Sequence, residues 1–202
     1  MTSSNTETSA AQPDPGRAED YDIFRGELIR LDSWDLDRDA EELAAWHSEM
    51  GFQRMGFDQA IRPVAADEAR KVIEQWRDDW PASTTFAVRA LDDDRLVGMT
   101  RLYDIEGHHR TAVLGLSIGR ESEWGKGYGT DASKVTIRYG FQELNLYRIW
   151  LDVFGYNDRA QALYRRLGFT EEGRLREHFE RDGRRHDVIL MGLLRPEWEQ
   201  AG

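Results

Sequence analysis

The chain contains no cysteine among its 202 residues. Disulfides, thiolate metal sites and a cysteine nucleophile are thereby excluded. The absence fits a reducing compartment such as the cytoplasm. No apolar run approaches the ~18 residues needed to cross a bilayer, so a membrane is not an expected partner. The N-terminus has no basic region followed by an apolar stretch and does not read as a secretory leader. Basic residues are in deficit: Lys and Arg number 27 against 38 Asp and Glu, a formal net charge of −11. Nucleic acid is therefore not expected as a partner, because phosphate binding needs a basic face. Such an acidic field attracts cationic substrates such as amines, and it equally serves solubility alone. Histidines are few. His108 and His109 fall in a turn, and His178 and His186 flank the last hairpin. They lack carboxylate partners at ligand spacing, so no metal site is expected.

What is present describes a globular domain, with 40% hydrophobic and 32% charged residues. Residues 1–20, rich in Ser, Thr, Ala and Pro, read as a disordered tail. Residues 21–202 then form one domain. Phe24–Leu31 reads as a first strand, and Asp39–Met50 and Ala65–Trp80 as helices. Thr85–Leu91, Leu96–Asp104 and Thr111–Gly119 alternate as three strands. A helix follows over Gly129–Leu144, then a strand over Arg148–Phe154 and a short helix over Asn157–Leu167. Strands Thr170–Glu180 and Arg185–Leu194 close the chain around an Asp182-Gly183 turn. Trp34, Trp46, Trp76 and Trp80 read as helix or core material. The fold class is mixed α/β (α+β) with a mostly antiparallel sheet.

The strand Thr111–Gly119 runs into Trp124-Gly125-Lys126-Gly127-Tyr128-Gly129-Thr130, and a helix starts there. Glycines let backbone N–H groups turn toward an anion, and a helix N-terminus adds its partial positive charge. Lys126 adds a point charge. A phosphate ligand is thus indicated, but not the commonest ones. Gly119 and Gly125 stand one residue too far apart for a Walker A loop, and Gly127 follows the lysine where Ser or Thr should stand. A dinucleotide loop needs GxGxxG, whereas this loop reads GxGxG. Further on lies Asn157-Asp158-Arg159-Ala160-Gln161-Ala162-Leu163-Tyr164. Asn157 is a good helix N-cap and can also offer its amide to a ligand. Tyr164 lies on the apolar stripe of that helix, where a core aromatic would also lie.

Together these segments resemble the GNAT superfamily of N-acetyltransferases, and within it the RimJ/RimL and spermidine-acetyltransferase branch. Trp124–Thr130 matches the pyrophosphate loop, with Trp124 where many members carry Gln or Arg. Asn157, Ala160, Tyr164, Gly168 and Phe169 match the pattern NxxAxxLYxxxGF. Glu171–Glu177 and Pro196-Glu197-Trp198 also fit this branch, and the similarity runs from about Arg25 to Trp198. The resemblance implies a sheet splayed between Thr111–Gly119 and Arg148–Phe154, with helices on both faces. It implies acetyl-CoA as cosubstrate, no metal, and a small amine or protein N-terminus as acceptor; it leaves room for a homodimer. Leu116, Ser117 and Ile118 would pair with the pantetheine arm, and residues 124–130 with Asn157 and Ala160 would complete the cofactor site. A backbone N–H near Leu116 would stabilise the oxyanion, and Tyr164 would protonate the leaving thiolate.

Branch relatives often carry a glutamate in the strand before the loop. Here Val113 stands at that position, and valine accepts no proton. A lysine-like amine of pKa ~10.4 is about 0.04% neutral at pH 7, whereas an α-amino group near 7.7–8.0 is about 10% neutral. A substitute base is needed, or a low-pKa acceptor, or a water relay. Asp152, Ser117 and Glu177 are the substitutes, with Asp152 first. The same site without turnover would make an acyl-CoA sensor.

Overall fold

The computed structural model of the protein describes residues 22–201; the expected disordered tail lies outside the described residues. In chain order the elements are β1 (Ile29–Asp32), α1 (Leu36–Trp46), α2 (Met50–Gly56), α3 (Ala66–Asp78), β2 (Thr84–Ala90), β3 (Leu96–Glu106) and β4 (Thr111–Ile118). A one-turn 3-10 segment at Glu121–Glu123 leads into α4 (Tyr128–Gln142), followed by β5 (Arg148–Phe154), α5 (Asp158–Arg166), β6 (Thr170–Arg181), β7 (Arg184–Leu194) and α6 (Arg195–Ala201).

Strand alternation divides the core. In β2, Val88 and Ala90 join Ile29 and Leu31 against Ala132 and Val135 of α4. Ala87 points the other way, into Leu43, Trp46, Phe52 and Ile73 of α1, α2 and α3. Helices therefore cover both faces of one seven-stranded sheet, in the order β1-β2-β3-β4-β5-β7-β6. Neighbouring strands are antiparallel except β4 and β5, which are joined by the α4 crossover. That parallel pair is short. Its register is Thr111↔Arg148, Ala112↔Ile149 and Val113↔Trp150, and no pairing follows. The expected splay thus begins just after Val113.

The sequence reading placed the central elements well and missed details at the edges. Helix α1 starts at Leu36, not Asp39, because the Asp35 carboxylate accepts the N–H groups of Asp37 and Arg38 at 3.0 and 3.2 Å. It ends at Trp46, and a separate helix, α2, follows where one longer helix was expected. The first strand covers Ile29–Asp32 alone. The amides of Leu28 and Ile29 donate instead to Asp131 of α4, at 2.7 and 3.1 Å. Helix α6 was not anticipated, although proline is tolerated in a first helical turn. Trp34 and Trp46 are buried, but Trp80 is 57% exposed and is not core. The Asp182-Gly183 turn is present, with positive φ at both residues (54° and 69°).

One buried ion pair ties α1 to the sheet. Arg89 of β2 and Asp39 of α1 are only 2% and 1% exposed. Arg89 Nη2 donates to both Asp39 oxygens, at 2.8 and 3.1 Å, and Nε donates to Asp32 at 3.2 Å. Removing one partner of such a pair leaves an uncompensated charge in the core. Asp39→Ala is expected to destabilise the fold by about 3–5 kcal/mol. The double change Asp39→Leu with Arg89→Met should cost less than that single change. Urea denaturation followed by tryptophan fluorescence measures both.

Candidate active site

The loop after β4 is held open by its own sequence. Trp124 Nε1 donates to the Ile118 carbonyl at 3.0 Å, which folds the loop back onto the strand end. Gly125 and Gly127 take left-handed backbone conformations, with φ of 80° and 96°, which side-chain-bearing residues adopt only with strain. Gly127 is the N-cap of α4 and brings no side-chain acceptor. Among the described residues, no acceptor faces the N–H groups of Gly125 through Thr130. A run of free amides at a helix N-terminus is an anion cradle. The residues present therefore fit a pyrophosphate.

These residues line a cavity of about 260 Å³ between the parted strands. Leu116, Ser117 and Ile118 form its β4 wall; Asn157, Ala160, Leu163 and Tyr164 form its α5 wall. Lys126 does not line the cavity and is committed elsewhere: its Nζ lies 3.0 Å from Glu123, which also pairs with Arg95. The cation aimed at the cradle is Arg159, which sequence reading passed over. Its guanidinium stacks 3.9 Å above the Trp124 ring, and among the described residues it forms no ion pair. Trp124 thus serves as a platform for a cation supplied by α5. The signal in the sequence was an arginine two residues after the Asn157 cap, unreadable without the distance to Trp124.

A second cavity, about 900 Å³, opens on the other side of the same junction. Met55, Gly56, Leu116, Ser117, Asn157, Ala160 and Tyr164 line both cavities. Asn157 serves in two ways. Its Oδ1 accepts the Ala160 N–H at 3.1 Å as a helix cap, while its side-chain N–H₂ has no partner among the described residues. Tyr164 is 6% exposed and its ring packs on Phe169. Its Oη has no hydrogen-bond partner among the described residues. Burial foremost, then the charge of Asp152, pushes the phenol above its ordinary value, so it stays protonated at neutral pH.

Asp152 projects from β5 into the larger cavity, with Asp58, Arg101, Tyr103 and His178 around it. Asp152 is exposed toward the open mouth of the cavity, with the cavity walls around it. Desolvation, with repulsion from Asp58, raises it above the usual carboxylate range against the opposing pull of His178 and Arg101. Val113 and Glu177 line neither cavity. Among the described residues, no cluster of three or more His, Asp or Glu could hold a metal. No helix among them is long and apolar enough to cross a membrane.

A sheet parted beside a phosphate cradle, with a second cavity meeting the first at a buried tyrosine, defines an acyl-CoA-dependent N-acetyltransferase. Residues 29–170 match the acetyltransferase (GNAT) domain. The chain belongs to the GNAT acetyltransferase family. It is 34% identical over 165 residues, 80% of this chain and 89% of the relative, to a Bacillus subtilis (strain 168) protein that bears the name ribosomal N-acetyltransferase YdaF. It is 36% identical over 106 residues, 52% of this chain and 56% of the relative, to the spermidine N(1)-acetyltransferase of Escherichia coli (strain K12). The solved structure of spermidine N-acetyltransferase from Vibrio cholerae in complex with CoA and spermine superimposes with a TM-score of 0.76 at 26% identity, covering 85% of this chain and 98% of that one. This membership agrees with the sequence-based reading of branch, fold, activity and cosubstrate.

The cradle makes a graded expectation. Arg159→Gln should weaken acetyl-CoA binding about 10-fold, the worth of one charge-assisted hydrogen bond. Lys126→Gln should weaken it less than about 3-fold, because an exposed, already paired lysine adds little. Titration calorimetry with acetyl-CoA ranks the two.

Proposed function

We propose that the protein acetylates a primary amine, either a small amine or a protein N-terminus, in a ternary complex in which the smaller cavity holds acetyl-CoA and the larger holds the acceptor. The junction of the two cavities at Tyr164 is the observation that carries this reading. Acetyl-CoA supplies an acetyl group activated as a thioester. The amides of residues 125–130, with Arg159, hold its phosphates; the Trp124 N–H, expected among them, is already donated to the Glu121 carbonyl at 3.1 Å. The unpaired edge of β4 at Leu116, Ser117 and Ile118 receives the pantetheine. The names of the relatives, spermidine and ribosomal acetyltransferases, support an amine or protein acceptor.

Asp152 takes the role that Val113 cannot. A carboxylate raised by desolvation is a stronger base than an exposed one, and it lies in the acceptor cavity, where an ammonium would enter. It binds the ammonium, accepts its proton and frees the nitrogen lone pair for attack. Tyr164 holds a proton on Oη at the point where the cavities meet, within the same dry wall as the departing sulfur. The nitrogen adds to the thioester carbonyl to give an oxyanion; as this collapses the C–S bond breaks, the Tyr164 proton goes to sulfur, and the second proton leaving nitrogen restores the phenol through solvent. A sensor that only bound acyl-CoA would have no use for a second cavity lined by a carboxylate.

Incubation of the full-length protein with acetyl-CoA and a panel of amines and peptides, under thiol detection, tests this reading. Release above the hydrolytic background, for at least one amine, is expected; tight acetyl-CoA binding without any release would leave a sensor. Tyr164→Phe should lower kcat by about 10²-fold, in the range of general acid catalysis, with acetyl-CoA affinity retained. Asp152→Asn should lower kcat/KM at neutral pH. In the wild type, kcat/KM should fall as pH drops through the raised value of Asp152, because the protonated carboxyl accepts nothing. The same shift carries a stability sign. Folding favours the neutral carboxyl, so Asp152 supports the fold below its unfolded value and weakens it as pH rises through the folded one. Asp152→Asn should therefore raise Tm at pH 7 while it lowers activity, and calorimetry beside kinetics shows whether both occur.

A further inference from the structure

Helix α2, absent from the sequence reading, carries the wall that separates the two cavities. Met55 and Gly56 line both, while Phe57, Asp58 and Gln59 line only the larger. Gly56 lies so close to β4 that an added Cβ would sit 3.1 Å from Ser117 Oγ. The helix is fixed at each end from a different part of the chain. At its start, the Gly51 N–H donates to Glu121 Oε1 of the phosphate loop at 2.9 Å. At its finish it meets the tip of the β6–β7 hairpin.

That second attachment centres on Arg181, the last residue of β6. Its Nη1 donates to the Arg54 carbonyl at 2.7 Å and to Tyr156 Oη at 3.0 Å, and its Nη2 donates to the Phe57 carbonyl at 2.7 Å. Tyr156 Oη also donates to the Arg54 carbonyl. Arg54 itself pairs with Asp182 in the hairpin turn. The last carbonyls of a helix have no intrahelical partner and carry partial negative charge. A planar guanidinium satisfies two of them in one rigid fork, which an ammonium does not. The Phe154 and Phe179 rings, 5.8 and 5.7 Å away, flank the same guanidinium.

We propose that Arg181 is a positioning residue for the acceptor: it holds the C-terminal turn of α2 over Ser117, sets the width of the passage between the cavities, and places Asp58 where it faces the incoming ammonium beside Asp152. The inference rests on the larger cavity being the acceptor site. Because the phosphate cradle is anchored to β4 through Trp124 Nε1 on the Ile118 carbonyl, and the start of α2 keeps its own bond to Glu121, loss of Arg181 should touch the acceptor and spare the donor.

Full-length Arg181→Met, Arg181→Lys and Tyr156→Phe proteins test it, with the amine most active for the wild type and with acetyl-CoA calorimetry. Arg181→Met should raise the acceptor KM about 10-fold or more, as expected for charge-assisted hydrogen bonds lost. Its kcat should change less than about 3-fold and its acetyl-CoA Kd less than about 2-fold, within the usual scatter for sites that do not interact. Arg181→Lys should recover part of the acceptor KM, since a point charge reaches one carbonyl. Tyr156→Phe, which removes the bond to the Arg54 carbonyl and the one accepted from Arg181 but leaves both Arg181 bonds to the α2 carbonyls, should raise it by about 3-fold. If Arg181→Met does not fold, the other two variants decide by the same split. Unmoved acceptor KM in an active enzyme, or equal losses of donor and acceptor affinity, overturns the inference alone. A wild type that binds acetyl-CoA and acetylates no amine overturns the acceptor reading and this inference with it.

Discussion

Beyond Val113, β4 has no strand on its β5 side, and the rest of the site depends on that gap. Each half-sheet stays intact: β4 keeps β3 as far as Ile118↔Gly98, and β5 keeps β7 as far as Phe154↔Val188. The opening is thus set by two rigid half-sheets rather than by a flexible seam. Unpaired backbone groups inside a protein demand partners. Here they lie along a cavity wall, at Leu116, Ser117 and Ile118. The same parting lets the N-termini of α4 and α5 approach one slot from opposite sides. Free amides enter from α4; Asn157, Arg159 and Tyr164 enter from α5.

Charge is distributed with the same division. The chain is acidic overall, yet the smaller cavity presents free N–H groups and Arg159. Lys126, the basic residue inside the glycine motif, is turned to Glu123 instead. A tryptophan at the head of the loop is therefore no loss. It anchors the loop through its indole N–H and carries a cation on its face. The larger cavity holds Asp58 and Asp152, and desolvation, with repulsion from Asp58, raises the Asp152 carboxyl. That arrangement costs stability at neutral pH, which is the usual condition of a functional carboxylate in a cleft.

The hairpin tip and α2 show how a peripheral element can matter to chemistry without touching it. Arg181 lies at the far end of β6, and the two carbonyls it holds, of Arg54 and Phe57, bracket Met55 and Gly56, which line the junction where Tyr164 lies. Tyr156 and Asp182 add to the same attachment from the β5–α5 connection and the turn. The edge of the sheet is in this way connected to the acceptor side, while the cradle is braced by its own contacts.

Most of the architecture was legible in the amino-acid order. Alternation marked β2 to β5, the Asp-Gly pair marked the last turn, and the glycine loop with the Asn157–Tyr164 helix marked the donor site. These signals are local: strand period, turn chemistry and capping act within a few residues. What failed was equally physical. Asp131 captured two amides that an earlier strand start required, and Asp35 moved the beginning of α1. Helix α2 is seven residues long, too short to show a period, and is held mainly by distant side chains. The acceptor cavity assembles Asp58, Arg101, Asp152 and His178 from separate elements, so no spacing announced it. Sequence alone determined the fold family and the phosphate cradle, because both rest on backbone conformations that glycine and caps encode locally. Only the tertiary structure decided that Arg159 stacks on Trp124 beside the cradle, that Asp152 lies in the larger cavity and that Arg181 ties the end of α2 to the hairpin, because those are distances between residues far apart in the chain.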